Sequence, residues 1–244
     1  MSLVTEQYDP RVADARASIQ SDPEIAVLFK PGVDPRLLTM FLIRFCSMGP
    51  KMTEPVEGWI RRAGERCLEL GIADIGKSLI THANHEAGHD LMMHEDTRKL
   101  VEAWNAKHEP RLDADALLAE PATKPALAYT KLHEDTIAST TPYCQVAIEC
   151  EIERLSLQLG RPLLEQCKLV LGPEVLSRLS FLVEHAEIDA GHTLLNEKML
   201  GRLLAADPSR AEPLGHAGAA ALRIYGDHLK ECLRGAVAAL APAG

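Results

Sequence analysis

Apolar residues recur along this chain three to four positions apart, the spacing of a helix face, and nowhere in the two-residue alternation of a half-buried strand. Capping residues, Pro and Gly divide these runs. Asp9-Pro10 and Asp22-Pro23 each read as an N-cap followed by Pro at the first helical position. They open short helices that carry Ile19, Ile25, Leu28 and Phe29, an N-terminal wrap over residues 1–30. Asp34-Pro35 opens a more apolar helix with Leu37, Leu38, Phe41, Leu42 and Phe45, which serves as core or as the wall of a pocket and ends at Gly49-Pro50. Thr53 caps the next helix, Gly71 suits its C′ position, and Glu57, Glu65 and Glu69 ride on it. A long stretch follows over residues 72–108, then a Pro-broken segment with short helices after Asp113 and Pro125. Thr141-Pro142 starts a helix closed by Gly160, and Arg161-Pro162 starts one closed by Gly172-Pro173. A helix long enough to cross the whole domain covers residues 173–206, and Ser209 caps a last one ending near Leu240. The expectation is an all-α, single-domain multi-helix bundle over residues 1–244, with a flexible tail at 241–244.

Three groups of polar residues interrupt the apolar faces. In FLVEHAEIDAGHTLL, Phe181 to Leu195, His185, Asp189 and His192 stand at i, i+4 and i+7, within about 60° of one another on one helix face. Leu182, Ile188 and Leu195 lie on or beside that stripe, which turns it inward. Burying three titratable groups without partners is costly, and a divalent cation is the simplest common partner for two imidazoles and a carboxylate. A solvated face with two satisfied histidines is the competing reading. The second group, THANHEAGHDLMMHED, places Glu86 and His89 at i, i+3, the unit by which a helix offers a carboxylate and an imidazole to one ion. His82 and His85 lie one turn earlier, and Asp96 with Arg98 and Lys99 reads as a solvated patch. In the third group Glu149 and Glu153 share a face one turn apart, with Glu149 the favoured ligand and an ion pair to Arg154 the alternative. His133 reads as a surface residue or a neighbour of a ligand.

Composition narrows the setting. Aromatics are 4% of the 244 residues against 46% hydrophobic overall, with Ala and Leu plentiful, as in a helical protein. A net charge of −9 with no basic patch gives no reason to expect a nucleic-acid or membrane partner. Six scattered cysteines without a CxxC pair, no secretory leader pattern and no long apolar run predict a cytoplasmic protein with reduced thiols. The three polar groups together offer three carboxylates and three imidazoles and no thiolate. That set is too large for one structural zinc. It suits two ions bridged by carboxylate, with iron or manganese favoured by the donor types.

The EAGHD segment at Glu86 to Asp90, the later helix glutamate and the HAEIDAGH segment at His185 to His192 resemble the haem-oxygenase-like di-iron oxidases and oxygenases. That superfamily shares its fold with thiaminase-II-like and pyrroloquinoline-quinone-synthase-like proteins. The resemblance covers residues 34–229 in layout, and its specific residues are confined to the three groups. It implies a haem-oxygenase-like bundle whose metal ligands fall on Glu86, His89, Glu149, His185, Asp189 and His192, with Glu149 also catalytic as a bridging or mobile ligand. His82 or His85 stands as an alternative to Glu86, and Glu153 to Glu149. It further implies Fe(II), about two per chain, O2 as cosubstrate and an external electron donor. The implied substrate is a small amino-acid- or fatty-acid-derived metabolite, modified in a biosynthetic step by N-oxygenation, desaturation or C–C cleavage. Rival readings are a ferritin-like di-iron bundle using Glu57 and Asp189xxHis192, a metal-free thiaminase-like hydrolase using Cys144 or Cys150, and a non-enzymatic helical binding protein. A haem-binding oxygenase is disfavoured because no histidine precedes His82. The Ala-rich last helix suits a homodimer interface or packing within the chain.

Overall fold

The helical spacing is realised in a computed structural model that describes residues 2–241, so the tail expected at 241–244 lies, from 242 onward, outside the described residues. Twelve α-helices occur among them: α1 (Asp9–Gln20), α2 (Pro35–Met48), α3 (Pro50–Thr53), α4 (Val56–Glu69), α5 (Ala73–His85), α6 (His89–Asn105), α7 (Ala114–Leu118), α8 (Lys124–Ala138), α9 (Gln145–Leu155), α10 (Arg161–Leu171), α11 (Ser180–Ala206) and α12 (Ala211–Leu240). No strand occurs among the described residues, and none of their helices is long and apolar enough to cross a membrane.

The 30-residue α12 is the axis of the packing and meets α1, α2, α8 and α9. Its small residues make that approach feasible: a Cβ at Gly218 would stand 2.4 Å from the Tyr8 hydroxyl and 3.0 Å from the Glu151 side chain. The Ala-rich face, including Ala219, Ala221 and Ala236, is therefore buried within the chain. Around α12 lie two apolar clusters. One centres on α1, α4, α5 and α9, with Trp59, Leu79 and Ile148; the other on α2, α6 and α10, with Phe41, Trp104 and Cys167. Phe29 and Leu229 pack against both.

Several expected boundaries move. Gly49-Pro50 does not stop the chain's helical course, because Gly49 is helical at φ −54° and is there for close contact: a Cβ would lie 2.2 Å from the Met93 sulfur. Thr53 accordingly bonds the Gly49 carbonyl instead of capping a new helix. Gly160 is also helical, at φ −64°, so a π-helical turn at Ser156–Gly160 joins α9 to α10. The N-terminal helical path starts at Val4, not Pro10, and Asp9 pairs with Arg16 at 2.9 Å instead of capping. Asp207, not Ser209, supplies the cap before α12. The largest revision concerns Asp96. It is not solvated but fully buried, and it accepts hydrogen bonds from Ser180 N (2.9 Å), Ser180 Oγ (2.8 Å) and Phe181 N (2.9 Å). It thus caps α11 from α6, fixing the start of the helix that carries the HxxxDxxH residues.

Candidate metal centre

The stretch at residues 72–108 is two helices, because Gly88 adopts φ +87°, a left-handed conformation that glycine tolerates and other residues resist. Glu86 closes α5 and His89 opens α6. At this joint the Glu86 carboxylate is presented to histidines on both sides. Its Oε1 lies 3.3 Å from His192 Nδ1 and 3.5 Å from His82 Nε2, and its Oε2 lies 3.1 Å from His89 Nδ1. The i, i+3 relation of Glu86 and His89 survives the break as a side-chain contact.

Two sets of donors result, each with ligand atoms within 4.8 Å of one another: His82, Glu86, Glu153 and His192, and Glu86, His89 and His185. Glu86 belongs to both. In the first set Glu153 Oε1 lies 3.0 Å from His82 Nε2 and 3.7 Å from His192 Nδ1, while its Oε2 accepts a 2.7 Å hydrogen bond from Asn196 Nδ2. In the second, the His89 and His185 rings meet edge to face at 4.7 Å. His185 Nδ1 lies 2.8 Å from the Phe181 carbonyl, which can only accept, so Nδ1 carries the proton and Nε2 keeps its lone pair. Burial, reinforced by the neighbouring His89, lowers His185 to about 4, so the ring is neutral at physiological pH.

Of the six expected ligands, the structure brings Glu86, His89, His185 and His192 into these sets and Asp189 beside them. Asp189 is 1% exposed, and neither of its oxygens has a hydrogen-bond partner. Burial, with Glu153 and Glu86 nearby, pushes it up to about 7. Glu149 is in neither set; Glu153, one turn on, takes part instead. Glu149 Oε1 accepts a 2.5 Å hydrogen bond from Gln145 Nε2, which also lies 2.8 Å from His133 Nδ1. Burial pushes Glu149 up to about 8. His133 is not a surface residue: it is buried, with its ring stacked on Trp59 at 4.1 Å, and burial lowers it to about 3. His85 is exposed and stacks on His192 at 5.5 Å. His82 could have been found from spacing alone, since His82, Glu86 and His89 repeat the i, i+4, i+7 pattern of His185, Asp189 and His192.

The electrostatics without metal are those of a knot of ion pairs. Burial pulls His82 down, but Glu153 and Glu86 outweigh it and hold it up at about 10. Burial pushes Glu86 up, but His192, His82 and His89 prevail and keep it well below the usual carboxylate range. Hydrogen bonding is nevertheless incomplete. His82 Nδ1 and Nε2, Glu153 Oε1, His192 Nδ1 and both Asp189 oxygens are buried without a hydrogen-bond partner; the close contacts of His82 Nε2 and His192 Nδ1 with Glu153 Oε1 are not aligned as hydrogen bonds. Native interiors rarely leave so many polar atoms unmatched in one place, and an oxygen- and imidazole-binding divalent cation matches this donor set.

Beside the cluster, at the seam of the two apolar cores, lies a cavity of about 120 Å³. Glu86, Glu149, Glu153, His185 and Asp189 line one part of it, and the rest of its wall is mainly apolar. The rival chemistries do not meet at this place. Glu57 pairs with Arg61 at 2.6 Å, and burial pushes the Cys144 thiol up to about 12 and Cys150 higher still, leaving little thiolate for nucleophilic attack.

No family model matches the sequence, and no curated protein matches it. In fold, the chain is similar to a domain of unknown function with a heme oxygenase-like fold from Shewanella denitrificans OS217, with a TM-score of 0.73 over 95% of this chain and 92% of that one at 15% identity. It is also similar to a CADD-like protein of unknown function from Nostoc punctiforme PCC 73102, with a TM-score of 0.62 over 94% of this chain and 98% of that one at 13% identity. The fold is haem-oxygenase-like.

Proposed function

We propose that this haem-oxygenase-like chain, folded as one cytoplasmic domain, is a non-haem di-iron oxidase or oxygenase that uses O2 and an external electron donor to modify a small amino-acid- or fatty-acid-derived metabolite. One observation carries the reading. The two oxygens of Glu86 face different histidine sets, the arrangement of a carboxylate shared by two ions. His82, Glu153 and His192 would hold one ion and His89 and His185 the other, with Glu86 and Asp189 as the remaining carboxylate donors. Bound there, iron would supply the one-electron chemistry that O2 requires.

The chain's own residues do the rest. The carbonyl of Phe181 fixes the His185 tautomer, and Asn196 orients Glu153 through its second oxygen, so these two donors are aimed before any ion arrives. The apolar walls exclude bulk water and hold the substrate body against the cluster. Anaerobic loading with Fe(II), followed by dialysis and iron analysis, is expected to leave about two irons per chain. His192→Ala is expected to lose iron while keeping its helical circular dichroism. Full iron retention in that variant, or none in the parent, sinks the proposal.

A further inference from the structure

The cavity wall contains no lysine and no arginine among the described residues, yet four carboxylates, Glu86, Glu149, Glu153 and Asp189, face it. Arg161, next in sequence to the lining residue Gly160, directs its guanidinium to the Ala186 carbonyl at 2.8 and 3.1 Å. With Glu86, Glu153 and Asp189 taken up by the ions, an anion in this cavity would find no basic side chain to neutralise it and could pair only with the ions themselves, while Glu149 is left over. A buried ammonium would find carboxylates.

Among those four, Glu149 stands apart. Like Asp189 it is absent from both donor sets, but Asp189 shares its helix face with His185 and His192, whereas Glu149 is 5% exposed and makes one side-chain hydrogen bond, at Oε1, to Gln145. Gln145 is itself steadied by His133, packed between Trp59 and Tyr129 at 4.1 and 4.5 Å. A carboxylate held rigidly at one oxygen, at the edge of a cavity and outside the clustered histidines, is built to receive something other than the ions those histidines would bind.

We infer that Glu149 is the anchor for the amine end of the substrate, an aliphatic amine whose apolar body lies along Leu28, Phe41, Phe45, Leu159, Leu163 and Leu182. This rests on the reading that the cavity is the substrate site of the proposed oxidase. It narrows the substrate from acids and amines alike to amines. Glu149 then acts by charge pairing and orientation, with Gln145 and His133 as positioning residues behind it.

The test titrates octylamine, octanol and octanoate, which share one chain length, into the full-length protein as purified and after Fe(II) loading, with calorimetry as the readout. Octylamine is expected to bind at least about tenfold more tightly than octanoate, with octanol between. Glu149→Gln should remove the preference for the amine while keeping the parent's iron content. Gly160→Leu probes the cavity without touching any carboxylate. Gly160 is buried, yet an added Cβ would meet only the Ser156 hydroxyl, at 3.7 Å, so a larger side chain grows into the void. That variant should weaken octylamine binding by at least about tenfold. The inference is overturned if octanoate binds as well as octylamine, if octylamine does not bind, if Gly160→Leu binds it unchanged, or if Glu149→Gln keeps the amine preference or loses its iron. Failure of the parent to take up iron would instead remove the oxidase reading, whatever the ranking of the three ligands.

Discussion

Glu151 and Glu153 lie two residues apart on α9 and both are buried, but the protein surrounds their carboxylates differently. Glu151 is matched completely by the chain. It accepts from the Tyr8 hydroxyl at 3.0 Å, from Arg16 at 2.7 and 2.6 Å and from Arg154 at 3.3 Å. Glu153 has one directed partner, Asn196, and its other oxygen faces histidines without a hydrogen bond. The same contrast separates Asp96, bonded three times at the start of α11, from Asp189, which has the Ser156 side chain nearby but no aligned hydrogen bond on the same helix's inner face. A buried carboxylate that holds the fold together is neutralised from within the chain. One left unmatched beside a cavity is kept for an arriving partner.

Removing a fully matched carboxylate should therefore cost stability, and removing Asp189, which has no aligned partner, should not. The largest effect is expected for Glu151→Ala, which removes the buried carboxylate shared by Tyr8, Arg16 and Arg154, leaves Arg16 with Asp9 alone and Arg154 with Glu197 and Asp9, and should lower unfolding free energy by about 3 kcal/mol, measured by urea denaturation. Iron uptake by the folded fraction should persist.

A buried titratable group with no carboxylate beside it sharpens the contrast next. His228 touches Phe45, Tyr225 and Cys232, and burial lowers it to about 4. Its folded value lies below the ordinary 6.5, so between these values the unfolded chain takes up a proton that the folded one refuses. Stability should fall as pH drops from about 6.5 to about 4, by on the order of 3 kcal/mol at most for this one group. His228→Leu should flatten that part of the curve of unfolding free energy against pH. An unchanged slope would show that the imidazole does not carry the effect.

The third test sets the two aspartates against each other in metal-free protein. Asp96→Asn should destabilise by about 2 kcal/mol, because an amide oxygen caps α11 less strongly than a carboxylate and its amino group finds no acceptor. Asp189→Asn should raise stability by about 1 kcal/mol by relieving an unpaired buried charge, while shrinking the rise in melting temperature that Fe(II) produces. If the two substitutions destabilise alike, the distinction between them is false.

Much of this was legible in the chain. The HxxxDxxH face on α11 follows from helix periodicity, and Glu86 with His89 from the i, i+3 rule, which holds even across the turn at Gly88. The all-helical course follows from apolar spacing and from caps such as Asp34, which does accept from Arg36 N, although the one stretch expected at 72–108 is two helices parted at Gly88. What remained hidden depends on partners distant in sequence. Asp96 next to Arg98 and Lys99 looks like any charged surface turn, and only its meeting with Ser180, 84 residues on, reveals a cap. Glu149 and Glu153 share one face, and the choice between them is made by how α9 is rotated against α11. The glycines at 49 and 160 look like stops because nothing local tells a flexible end from a tight contact or an open void.

Phe29 and Leu229 pack against both apolar cores and also line the hollow between them. That hollow is where the two cores do not interlock, so the contacts that would join them directly are missing there. A guest filling it would mortar one core to the other, and its occupancy should raise the melting temperature of the bundle as a whole.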